Sequence, residues 1–214
     1  KLNEVLLISG NKNQKIFSQN KIKKTIDIHS LDYNKAINFR NKKKSKKQRK
    51  IILYFDMPKP FFKDDFQLLY KLSPNTDLRE IKEHYFKLNY FLKSIEKIYS
   101  CKIIIIPHPK VRGIKNPFYD KRFQIDERPE AASELAPVCK FAIYSSFSTS
   151  VAYSIASKKP ILLLKGKGFE GNFGIKDHYI RGIKTMSKYL SCKVFDYKNN
   201  LKKKVKLKLN KKRY

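Results

Sequence analysis

No stretch of this sequence holds 18 consecutive apolar residues, so it offers no membrane-spanning helix. The opening KLNEVLLISG carries an apolar run of only four residues, too short for a secretory leader. That opening starts at Lys1 rather than Met, and we expect the natural N-terminus to lie upstream. Cysteine is sparse: Cys101, Cys139 and Cys192 make no Cys-x-x-Cys pair, which removes the usual spelling of a zinc or dithiol site. Each stands in a Cys-Lys pair just before an apolar run, the setting of a small buried filler in a reducing compartment. Arginine is scarce as well, 8 residues against 41 lysines. Because arginine is the better fork for phosphates and bases, this balance argues against a dedicated nucleic-acid reader. No internal repeat is evident.

What the sequence does have is positive charge, +31 over 214 residues, enough to attract polyanions or an anionic membrane surface. The charge sits at the ends. Residues 1–50 contribute +12 and residues 198–214 contribute +9, leaving +10 for the 147 residues between. The run NKKKSKKQRK (41–50) is too charged to bury and marks the best boundary in the chain. We therefore expect an N-terminal segment with a basic linker (1–50), a central domain (51–197) and a basic tail (198–214). In that tail lysine alternates with valine or leucine, which suits either a lysine-guarded edge strand or a disordered segment.

Apolar runs alternate with helical patterns through the middle region. VLLI (5–8) suggests a strand, and residues 26–39 a strand and a short helix. Ile51 to Phe55 reads as a buried strand closed by Asp56, Pro58 and Pro60. Asp77 and Glu80 make a box-like start for a helix in which Leu78, Ile81, Tyr85, Leu88, Leu92 and Ile95 recur every three or four residues. Ile103 to Ile106 is a continuous apolar run, typical of a strand covered on both faces. A loop to about Tyr119 leads to a short run around Arg122 to Ile125, and further elements fall at Pro129 to Pro137 (helix), Asp177 to Leu190 (helix) and Lys193 to Phe195 (strand). This alternation predicts an α/β class protein with a doubly wound, mostly parallel, Rossmann-like sheet.

Lys140 to Leu164, KFAIYSSFSTSVAYSIASKKPILLL, is the stretch around which the rest is arranged. It reads as strand, hydroxyl-rich turn, helix and strand. Ser148 or Ser150 serving as a helix cap accounts for one or two of the five hydroxyls. The set Ser145, Ser146, Ser148, Thr149 and Ser150, gathered at a helix N-terminus, also suits a phosphate or a sugar. In a parallel sheet ligands sit at the C-terminal strand ends, so Asp56, His108 and this turn converge on one cleft. The cysteines, at strand starts, fall on the opposite edge. His108 stands between Pro107 and Pro109, which gives its imidazole a defined direction at a strand tip. Asp64 and Asp65 read as capping or solvated loop residues, and His29, His84 and His178 as surface or packing histidines. Nothing resembles a zinc site.

The ordered set FDMPKPFFKDD (55–65), a long helix, IIIIPHPK (103–110), YDKRF (119–123) and IYSSFSTSVAYSIASKKPILLL (143–164) resembles the C-terminal half of bacterial surface-polysaccharide glycosyltransferases of the GT-B architecture. In particular it is similar to capsule and lipopolysaccharide enzymes and to sialyltransferases with a His-Pro motif and a Ser-Ser/Thr motif, over roughly residues 28–165. The resemblance implies a CMP- or UDP-linked sugar as donor substrate, with no separate cofactor. Its phosphate would be held by His108 and by Ser145, Ser146, Ser148, Thr149 or Ser150, with help from Arg122. Asp56 would touch the acceptor or the sugar. No Asp-x-Asp occurs, in keeping with chemistry that needs no divalent metal. Such enzymes take their catalytic base from an acidic motif in a first Rossmann-like domain. Here only Glu4, Asp27 and Asp32 are acidic before residue 51, so we expect a fragment of a longer reading frame.

Three function classes follow as expectations. The first is a glycosyltransferase, or its donor-binding half, acting on a glycan or lipid-linked acceptor in the cytoplasm, peripheral on the inner face of the membrane. The second is a nucleotide-sugar epimerase of the same architecture, for which additional acid/base residues are not evident. The third, argued from charge alone, is a nucleic-acid-binding protein.

Overall fold

Five apolar residues between Lys50 and Asp56 make a strand that needs cover on both faces, and β3 (Ile51–Phe55) is buried along almost its whole length. The structure is a computed structural model that describes residues 5–9, 22–27, 31–42, 49–56, 78–145, 148–165 and 176–196. Before β3, the strands β1 (Val5–Ser9) and β2 (Ile22–Asp27) pair in parallel as a separate two-stranded ribbon, and helix α1 (Leu31–Lys42) follows. The strand expected within 26–39 thus falls earlier, and the helix takes most of that segment.

After β3 come α2 (Leu78–Tyr99), β4 (Lys102–Ile106), β5 (Gln124–Ile125), α3 (Ala131–Leu135), β6 (Ala142–Tyr144), α4 (Val151–Ala156), β7 (Ile161–Lys165), α5 (Lys176–Leu190) and β8 (Lys193–Asp196). The last six strands form one sheet in the order β5-β4-β3-β6-β7-β8, and every neighbouring pair is parallel. This is the doubly wound, Rossmann-like fold that the alternation predicts. Counted from β3, the order is 3-2-1-4-5-6, and the direction of winding reverses between β3 and β6. Right-handed crossovers then put α2 on one face and α3, α4 and α5 on the other.

The core follows from the patterning. Ile103 to Ile106 and Ile161 to Leu164 are buried, as continuous apolar runs in a two-sided sheet must be. On α2 the buried stripe is Tyr85, Leu88, Phe91, Leu92 and Ile95; each such side chain contributes about 1.5–3 kcal/mol by leaving water. Leu78, expected on that stripe, is 53% exposed because the helix begins there, beyond the edge of the core. Three helices turn into the next strand by one device. Ser100, Lys158 and Ser191 adopt φ of 49°, 53° and 47°, the left-handed conformation that ends a helix without continuing it. Glycine is the usual choice there, and this glycine-poor chain uses serine and lysine instead.

Cys101 and Cys139 are buried and Cys192 half-buried, all near strand starts, and all three are free thiols. Burial pushes the Cys139 thiol up to about 12 and the Cys192 thiol up to about 11, so both stay protonated and unreactive at neutral pH.

Candidate functional site

Parallel strands end at a common edge, and the register fixes which residues meet there. Phe55 is level with Ile106 on one side and Tyr144 on the other, so Asp56, Pro107 and Ser145 are the next residues out. The Asp56 N–H donates to the Ile106 carbonyl at 3.0 Å, extending the ladder by one step. Since the winding reverses between β3 and β6, the connections leave in opposite directions and open a crevice at this point. Asp56 stands at its rim and Ser145 at its floor, and His108 lies two residues past the end of β4. The His108 carbonyl accepts from the Val111 N–H at 3.0 Å, closing the tight turn Pro109–Val111 that holds the histidine at the strand end.

The hydroxyl-rich turn divides into separate tasks. Ser145 is fully buried: its Oγ accepts from the Tyr54 hydroxyl at 3.2 Å and donates to the Phe55 carbonyl at 3.4 Å. It is part of the crevice floor. Ser146 lies outside the described residues, as do Asp64 and Asp65. Ser148 Oγ accepts from the Ser150 N–H (3.3 Å) and pairs with Ser150 Oγ (3.1 Å), while Ser150 itself makes no side-chain cap bond. Thr149 donates to Asp32 Oδ2 at 2.7 Å, and Tyr153 donates to Asp32 Oδ1 at 3.0 Å, which ties α1 to the turn. The Tyr144 hydroxyl donates to the Ser150 carbonyl at 3.2 Å and meets Ser154 Oγ at 2.8 Å, pinning α4 over β6. α4 has only six residues, so few aligned peptide dipoles stand behind the turn.

Arg122 is not brought to this crevice. It precedes β5 and therefore lies at the N-terminal edge of the sheet, where it pairs with Glu96 at 2.9 Å. With Lys50, Lys93, Lys97 and Lys102 it lines a basic groove of 830 Å³.

The sequence reading missed a ring of tyrosines around Asp56. Tyr54, Tyr85 and Tyr119 are buried, with Tyr119 edge-on to both others at 6.4 and 5.1 Å between ring centres. Burial first, and the Asp56 charge second, raise all three hydroxyls well above the ordinary tyrosine range, so they remain neutral donors. Asn116 Nδ2 donates to the Tyr85 hydroxyl at 2.9 Å. Asp56, Tyr54 and Tyr85 all lie near enough to Tyr119 to act on its ionisation, yet none meets its hydroxyl at hydrogen-bonding geometry, and that oxygen is enclosed among them without a partner. Beside it a cavity of 260 Å³ opens at the strand ends, between Asp56, Pro107, Asn116, Tyr119 and Glu127. No sequence signal marks these residues, because Tyr54 and Tyr85 read as core positions of a strand and a helix.

Chemically, the crevice offers a carboxylate backed by neutral phenols, a histidine at a strand tip and a hydroxyl turn. The carboxylate accepts hydrogen bonds from ligand hydroxyls, and the imidazole can donate to an anion. Among the described residues no group of three or more His, Cys, Asp or Glu side chains is placed to hold a metal ion. The sequence matches no protein-family model and no curated protein.

Proposed function

We propose that this chain is the donor-binding half of a glycosyltransferase that moves a sugar from a nucleotide-activated donor to a cell-surface polysaccharide or lipopolysaccharide acceptor without a metal. What supports the reading is that Asp56, His108 and Ser145 follow the C-terminal ends of the adjacent strands β4, β3 and β6, at and beside the reversal point of a 3-2-1-4-5-6 parallel sheet. Nucleotides bind at that place in doubly wound folds. In the reaction, the acceptor hydroxyl oxygen bonds to the anomeric carbon as the bond from that carbon to the donor phosphate breaks. The nucleotide leaves with the electron pair, and His108 neutralises the charge building on its phosphate. Ser148 and Ser150 supply further donors, and Asp56 faces the sugar. The acceptor proton passes to a base from the other half of the two-domain architecture. The basic ends, +12 over residues 1–50 and +9 over residues 198–214, suit the anionic inner face of the cytoplasmic membrane, where a lipid-linked acceptor would lie. No helix among the described residues is long and apolar enough to cross a membrane.

Thermal unfolding in moderate salt with CMP, UDP, GDP and ADP tests the reading. One nucleotide is expected to stabilise selectively, by about 2.7 kcal/mol at a hundredfold excess over its Kd, and His108→Ala should abolish the effect. Equal shifts with all four, erased by salt, would refute a donor site.

A further inference from the structure

We infer that Arg112 is the cation that holds a phosphate in the crevice, opposite the hydroxyl of Ser148. This role deepens the donor-site reading and rests on it for the molecule that carries the phosphate.

Arg112 stands four residues after His108, just past the tight turn Pro109–Val111. Its N–H reaches back to the Pro109 carbonyl at 3.5 Å, and Gly113, with φ 76°, leads the backbone away. The side chain is half-buried, and its charge is felt at the other wall of the crevice. Burial, then the Asp32 bond and charge, raise the Tyr153 hydroxyl, and Arg112 partly opposes them. Tyr153 shares Asp32 with Thr149, and β3 lies between β4 and β6 in the sheet. Arg112 therefore extends from the β4 tip, over the end of β3, toward the 148–150 turn.

Both walls hold donors with nothing to donate to. The Arg112 guanidinium makes no hydrogen bond and no ion pair among the described residues, and its Nε is enclosed without a partner. Nε lies beyond a ligand's reach and fixes the side chain, while the terminal nitrogens remain open as a fork. Asp32 is not their partner, since its two oxygens accept from Tyr153 and Thr149. Opposite, Ser148 Oγ accepts from the Ser150 N–H at 3.3 Å and from the Ser150 hydroxyl at 3.1 Å, which leaves its own proton to donate. Donors so placed are nearly always satisfied, and unclaimed ones on two sides of one crevice call for an acceptor from solvent. A phosphate is the acceptor that fits. The fork uses up both oxygens of a carboxylate, whereas a tetrahedral phosphate keeps oxygens for a hydroxyl on the opposite wall.

Inorganic pyrophosphate is the probe, titrated calorimetrically into the full chain at about 0.15 M ionic strength, where diffuse attraction to the basic surface is screened. It should bind, and acetate should bind far less well. Arg112→Gln should weaken pyrophosphate about tenfold or more, and Ser148→Ala should weaken it too. Lys115→Gln removes the same charge three residues away and should leave binding unchanged. Arg112→Gln should melt with the wild type, because the guanidinium has no partner to lose. Should it fail to fold, Arg112→Lys decides, since it keeps the charge but not the fork: weakened pyrophosphate supports the role and unchanged binding overturns it. Binding unchanged in a folded Arg112→Gln, an equal loss in Lys115→Gln, or acetate binding equal to pyrophosphate also overturns it. The two proposals fail separately. Selective nucleotide stabilisation that depends on His108 but not on Arg112 leaves the donor site standing and removes this role. Arg112-dependent pyrophosphate binding with no selective nucleotide effect does the reverse.

Discussion

Asp126, buried at the end of β5, accepts from Arg128 Nε at 3.0 Å, from the Arg128 terminal nitrogen at 2.8 Å and from the Arg128 N–H at 3.2 Å. The Arg128 hydrogen bonds, foremost among the causes, hold its carboxyl below the ordinary 3.8. A carboxyl whose pKa is lower folded than unfolded contributes stability that is complete above its unfolded value. That contribution is lost as pH falls through the folded value. Asp126→Asn should therefore melt below the wild type at neutral pH, and the gap should close in acid. Melting curves from pH 7 to about pH 2 check this, and a gap constant with pH would disprove the linkage. At the same scale, a residue type in the sequence marks a chemistry without assigning it. The five hydroxyls of the 145–150 turn look equivalent as letters, yet Ser145 is floor, Thr149 is a strap to α1, and Ser148 and Ser150 face each other.

Between elements, the contact most exposed to test is α1 against α4. Asp32 sits in the first turn of α1 and receives both the Thr149 and Tyr153 hydroxyls, 117 and 121 residues away in sequence. Burial, then the Asp32 bond and charge, raise the Tyr153 hydroxyl, so it stays a donor over the whole working pH range. Asp32→Ala should cost about 1–3 kcal/mol in urea unfolding, since hydrogen bonds to a charged group are worth more than neutral ones. Combining it with Tyr153→Phe should cost less than the two single changes added, by about 0.5 kcal/mol or more. Strict additivity would show that the pair does not hold α1 in place. α2 and β4 were legible in the sequence because their apolar periods are long and unbroken. α1 was only partly legible, because charged and polar residues cover most of it and its burial depends on α3 and α4, which come much later in the chain.

For the whole molecule, the charge of +31 sets behaviour that the site does not explain. Unrelated DNA sequences should bind with similar affinity, and that affinity should fall steeply between about 50 mM and 200 mM salt, measured by fluorescence anisotropy. One sequence bound far more tightly than the rest, with the preference surviving salt, would favour a nucleic-acid reader. The basic groove at the N-terminal edge, with Lys50, Lys93, Lys97, Lys102 and Arg122, is the natural place for the unspecific binding. It lies at the edge of the sheet opposite Asp56.

The order of residues alone dictates the fold class, the parallel sheet and the placing of Asp56, His108 and the serine turn at one edge. Continuous apolar runs alternating with helices leave little other choice, and in such a sheet every strand ends on the same side. What depends on side chains distant in sequence was set by the folded packing. It sent Arg122 to the far edge, because a strand of two residues starts just after it. It buried Ser145 under Tyr54, and it gathered Tyr54, Tyr85 and Tyr119 around one carboxylate. Local pattern reports which face of an element is covered. It does not report which side chain from elsewhere covers it, and the candidate site is made of such meetings.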